Sequence, residues 1–279
     1  MSVVERILLA SDESEYQAEL PILKRHSEKI SKCTESIEKI IRVISPDLNL
    51  INFTFSRIND RSELSCVSLR PEILFGLYKL GLFKKEETLN LSVVKPIYSL
   101  TPLHNQEIKA FYKQTLNIDN EVTCIALDFE LGRSKDSFYF LFEKDESKSL
   151  GSYYHLLHSL CLYFYKYFDQ DKLELFFLSD LIKGNKSNRE DGQSFSPFDS
   201  LKSRYDLTSI QLDYVKLVAL EMEAKTISKI TNRSTRTVES AISELKRKFE
   251  VDTKSQLEGI LKLHYTIEAN KYLKEQGLL

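Results

Sequence analysis

Between Leu207 and Val251 the chain sets hydroxyl and basic side chains beside short apolar stripes. The densest run is Ser234-Thr235-Arg236-Thr237-Val238-Glu239-Ser240, followed by Ser243, Lys246, Arg247 and Lys248. With Ser234 as N-cap of a helix, Val238, Ile242, Leu245 and Phe249 fall on one face. Glu239, Ser240, Ser243, Lys246 and Arg247 then share the opposite face. Such a set binds rather than catalyses. Arg and Lys grip phosphates, while short hydroxyls and an acid meet base edges in a major groove. Thr237 and Arg236 sit in the first turn, where free backbone amides favour a phosphate. The expected DNA contacts are Lys225, Ser234, Arg236, Thr237, Val238, Glu239, Ser240, Ser243, Lys246, Arg247 and Lys248.

Other chemistries find no foothold in the sequence. The five histidines, His26, His104, His155, His158 and His264, are scattered, and the one close pair lacks acidic partners at ligand spacing. Cys33, Cys66, Cys124 and Cys161 form no C-x-x-C pair and are expected to be reduced, buried thiols. There is no G-x-S-x-G, no Walker loop and no G-x-G-x-x-G. The expectation is a protein that is not an enzyme and uses no metal or cofactor. A phosphoacceptor receiver domain is equally disfavoured, because Asp12-Glu13 follows no suitable strand and the element order begins with a helix.

Short helices must hold these side chains. Thr208-x-x-Gln211 has the form of a capping box, opening a helix with Ile210, Tyr214, Leu217 and Val218 on one face. A second helix is expected over 225–231 with Ile227 and Ile230 inward, then a turn at Asn232-Arg233. Thr253-x-x-Gln256 or Ser255-x-x-Glu258 caps a fourth helix, with Leu257, Ile260 and Leu261 inward. Upstream, isoleucines at helical spacing mark one or two helices within 21–44. Strands are expected at 50–58, 64–69, 122–129 and 137–143, the last two joined by a loop at 132–136. A helix opens at Pro71-Glu72 and runs over 73–80, and a ring-rich one over 153–168.

These elements predict an α+β protein. An N-terminal α/β/α sensor-like domain over 1–183, an antiparallel sheet flanked by helices, precedes a polar linker at 184–203. An all-α, four-helix DNA-binding domain follows at 204–265, with a helical tail at 266–279. Charge divides along the same line. Residues 1–201 carry 25 Lys and Arg against 30 Asp and Glu, whereas 202–279 carry 14 against 11. A basic end suits contact with phosphates. The first residues lack a basic n-region and no apolar run reaches membrane-spanning length, so a cytoplasmic protein with no membrane partner is expected.

Residues 207–261 resemble the LuxR/GerE-type helix-turn-helix. The resemblance rests on Leu207-Thr208, Val215, Leu217, Lys225, Ile227, the run Ser234-x-Arg236-Thr237-Val238-Glu239, and Lys248-Phe249-x-Val251. Departures are Ile210-Gln211 for an acidic residue, Ser228 for Ala, Ala241 for His and Glu250 for Gly. The resemblance implies a transcription regulator that reads double-stranded DNA as a homodimer, with Glu239, Ser240 and Ser243 at the base-reading positions.

Residues 64–83 resemble the autoinducer-binding domain of quorum-sensing LuxR proteins through Pro71, Glu72, Tyr78 and Gly81. Leu74 stands where that family has Trp, and its Asp-Pro pair is missing. In the family, those Trp and Asp side chains hydrogen-bond an acyl-homoserine lactone. Without them its buried polar groups lose partners at about 1–3 kcal/mol each, so that ligand is not expected. Two readings stay open. One is a different, small apolar ligand walled by Phe53, Phe55, Leu74, Tyr78, Phe129 and Phe140. The other is that these rings simply fill a core and the domain serves dimerisation or protein interaction, the crowded rings of 153–168 being one contact surface.

Overall fold

The computed structural model describes residues 34–41, 50–59, 64–70, 73, 94–100, 122–132, 134–143, 150–168 and 195–277. Its architecture is mixed α+β. Five antiparallel strands, β1 Leu50–Ile58, β2 Leu64–Ser68, β3 Tyr98–Leu100, β4 Val122–Leu131 and β5 Ser134–Glu143, lie in the order β2-β1-β5-β4-β3. Helix α1 includes residues 34–41, and α2 is Leu150–Tyr167. Then come α3 Asp199–Arg204, α4 Ser209–Ala219, α5 Ala224–Thr231, α6 Thr235–Lys248 and α7 Lys254–Glu275.

Period-two alternation decides the sheet's two faces. Phe53, Phe55, Phe138 and Phe140 point to the α2 side, where Phe53 and Phe55 meet the Phe164 ring at 5.6 and 5.0 Å. On the same side Arg57 donates twice to Asp136 at 2.6 Å, and the Tyr165 hydroxyl donates to the same carboxylate at 2.9 Å. The other face mixes buried apolar side chains such as Ile58, Ala126 and Leu141 with buried polar ones. Asn52 accepts from the Ser68 hydroxyl at 3.0 Å, and Asp128 accepts from Ser137 at 2.7 Å and Tyr98 at 3.1 Å.

Several boundaries differ from those the sequence predicts. The hairpin pairs up to Leu131 opposite Ser134, tighter than a loop over 132–136, and Gly132 takes φ +60 at its tip. The expected linker is ordered in its second part. Phe195, Phe198 and Leu201 are buried at intervals of three, so 199–204 coils into α3. A separate tail after 265 gives way to one continuous α7, because Leu257, Leu261, Tyr265, Ala269 and Leu273 form a single buried stripe. The helix expected at 73–80 lies, apart from Ile73, outside the described residues, as do Leu74 and Tyr78.

Helix α7 joins the two halves of the molecule. Its first turns pack on α4, while Tyr265 stacks on His158 at 4.9 Å and on Phe129 at 6.3 Å. An ion pair of 2.8 Å between Lys216 on α4 and Glu130 on β4 crosses the same junction. Burial holds the His158 imidazole near pKa 4, with Lys262 and His155 adding to the shift.

Candidate nucleic-acid interface

Three helices around the candidate interface, α4, α6 and α7, begin on a side-chain cap. At α4 the reciprocal box forms: the Gln211 amide donates to the Thr208 hydroxyl at 3.2 Å, and the Thr208 amide donates to the Gln211 side chain at 3.0 Å. Of the two caps open for α7, Thr253 is the one used, with Gln256 completing the box. Ser234 caps α6, accepting from the Thr237 amide at 3.1 Å, and its hydroxyl also bonds that of Thr237 at 2.8 Å. Between α5 and α6 the chain reverses at Asn232 in a left-handed conformation, φ +51 and ψ +48. Asn tolerates that region better than most residues do. The Thr235 hydroxyl donates to Ser228 at 3.4 Å, pinning the start of α6 to α5.

Burial on α6 has a helical period. Val238, Ile242, Leu245 and Phe249 face the core at 0, 6, 0 and 5% exposure, while Arg236, Thr237, Glu239, Ser240, Ser243 and Arg247 are exposed. Helix α6 packs chiefly on α5, α4 and α7, and among the described residues its polar face is left exposed. Lys225 on α5 is exposed nearby in sequence order, as is Arg233, which the sequence marks only as a turn residue. The one clue to Arg233 was its charge next to the cap.

Three expected contacts are placed differently. Val238 belongs to the buried stripe, and the apolar side chain faces away from any groove. Lys248 turns inward. Its ammonium donates to the carbonyl oxygens of Asp206 and Tyr205 and to Gln211 Oε1, fastening the end of α6 to α3 and α4. Lys246 remains partly exposed, with its ammonium on the Asp252 carbonyl at 3.1 Å. Ile260, expected inward, is 40% exposed, and Ile210, expected on one face with Tyr214, Leu217 and Val218, is 57% exposed while those three are buried. Ile260, Leu263 and Ile267 form an open apolar stripe along α7.

Of the expected ligand wall, Leu74 and Tyr78 lie outside the described residues, while Phe53, Phe55, Phe129 and Phe140 join one cluster of rings through Phe138 and Phe53. Phe53, Phe55 and Phe140 are 0–1% exposed and packed ring on ring between sheet and α2. Phe129 alone among the described four borders a recess, which lies at the junction of the halves. The recess is small, with a cavity volume of about 30 Å³, and has His158, Phe195, Phe198, Lys216, Lys262 and Tyr265 among its walls. Cys66, Cys124 and Cys161 are buried free thiols, and burial pushes Cys66 up to about 12, far from reactivity. Among the described residues no cluster of His, Cys, Asp and Glu could hold a metal, and no helix is long and apolar enough to cross a membrane.

No protein-family model and no curated protein matches the chain. Solved structures that align with it include SdiA in complex with octanoyl-rac-glycerol, at 10% identity and TM-score 0.37, covering 93% of this chain and 97% of that one. A crystal structure of Escherichia coli SdiA aligns at 11% identity and TM-score 0.33, covering 88% of this chain and 96% of that one. Likeness this distant carries neither a function nor a ligand across.

Proposed function

We propose that the chain is a LuxR-type transcription regulator whose helix α6 enters the major groove of double-stranded DNA. The observation that carries this reading is the split face of α6: one stripe buried, the other presenting Arg236, Glu239, Ser240, Ser243 and Arg247 to solvent. Arg236 and Arg247 grip phosphates from the two ends of the helix, and Ser240 and Ser243 meet base edges between them. Lys225 and Arg233 add positive charge from the neighbouring helix and turn.

The regulator acts as a homodimer, since two-fold half-sites require paired reading helices. The open stripe Ile260, Leu263 and Ile267 on α7, at helical spacing, supports a helix-to-helix contact between protomers. Leu156 and Tyr167, 40 and 55% exposed on α2, offer a second apolar surface. The sheet half dimerises rather than enclosing a ligand between sheet and α2, a reading favoured by the dense rings of Phe53, Phe55 and Phe140 there.

Gel shift of the full chain on promoter DNA tests the proposal. Binding should weaken steeply as salt rises. Arg236→Ala should lower affinity about tenfold on every sequence and flatten the salt slope by about one contact, with an unchanged melting curve. Absence of binding at low salt, or binding indifferent to Arg236→Ala and Arg247→Ala together, refutes it.

A further inference from the structure

We propose that Glu239 sets the operator sequence by accepting a hydrogen bond from the N4 amino group of one cytosine in each half-site. The inference rests on the reading that α6 enters the major groove, and goes on to say which base it requires. Glu239 lies in the second turn of α6, and its side chain is exposed. Among the described residues nothing pairs with its carboxylate: Arg236 stands three residues before it and Ser243 four after, and neither bonds to it. The acid is therefore not spent on holding the helix.

An unpaired carboxylate on a surface that approaches phosphates is repelled unless a hydrogen-bond donor meets it. The major groove offers two kinds of base donor, the amino group of cytosine and that of adenine. Beside adenine's amino group stands N7, an acceptor that would face the second carboxylate oxygen. Beside cytosine's stands C5–H, which repels nothing. Cytosine is thus the base a carboxylate selects. Ser240 and Ser243, on the same face, donate or accept equally and tolerate several bases. Discrimination concentrates on Glu239, and Arg236 and Arg247 offset its charge from either side.

The test is selection of binding sites from a random duplex pool by the full-length chain, with Glu239→Gln and Glu239→Ala run in parallel. The wild type should enrich one C·G position per half-site, and changing that pair should weaken binding roughly 5- to 150-fold, the scale of one good base contact. Glu239→Gln should move the same position to A·T, since a carboxamide both donates and accepts. Glu239→Ala should leave it unspecified, with the remaining positions unchanged in both variants. An unaltered C·G preference in either variant overturns the assignment and leaves DNA reading intact. Enrichment of no sequence by any of the three proteins overturns DNA reading itself, and the cytosine contact with it.

Discussion

In the sheet half, buried charge is tied on several sides: Arg57 to Asp136, Asp136 to Tyr165, and Asp128 to Ser137 and Tyr98. On α6 the reverse holds. Arg236, Glu239 and Arg247 stand in solvent on a helix whose other face is apolar and closed. The difference separates side chains that keep a fold from side chains left available to another molecule. Unpaired polar groups are costly when buried and cheap when exposed, so a binding surface can carry them only outside the core.

The contrast can be broken from either end. Phe138 is fully buried among Phe53, Phe55, Phe129, Phe164 and Tyr165. Phe138→Ala should cost about 3–5 kcal/mol in urea denaturation, whereas changes on the exposed face of α6 should stay within about 0.5 kcal/mol. A small loss at Phe138 would mean that the sheet half is not where the stability resides.

Acid should loosen the junction next. His158 is held near pKa 4, below its ordinary 6.5, so the unfolded chain binds its proton first as pH falls. Stability is then full above about pH 6.5, declines toward pH 4 and stops declining below it, the total being on the order of 3 kcal/mol. His158→Phe, which keeps a ring against Tyr265, should flatten that slope in melts taken between pH 7 and 4.

Two smaller effects sharpen the description of α6. Ser234→Ala removes the cap on the Thr237 amide and should cost about 1 kcal/mol by chemical denaturation. Glu250, where the related pattern has Gly, sits at φ +55 just after α6. Glu250→Gly should therefore gain about 0.5 kcal/mol, read as a modest rise in melting temperature.

Much of this was legible in the residues themselves. The alternation of Leu50–Ile58 marks β1, and Thr208, Ser234 and Thr253 mark three helix starts, because caps and periodicity are local properties. The three-residue β3 gave no such signal, being too short to show a period, and pairing with β4 creates it. On α7 two apolar stripes compete, and only packing on α4 and the sheet decides that Leu257 and Leu261 go inward while Ile260 does not. Lys248 looked like its neighbours Lys246 and Arg247. What separates it is three oxygen atoms contributed by residues about 40 positions away. Spacing can propose a face for a charge, but partners distant in sequence decide whether the charge is used internally.

The 22 residues of α7 form one unbroken rod of about 33 Å. Its early turns lie beneath α6 and its middle lies against Phe129 and His158, so the two halves share a beam instead of a string. A tilt of that beam about the Tyr265 stack would carry the helices packed on its first half with it, so the placement of the exposed face of α6 is tied to how tightly a few rings meet against the sheet.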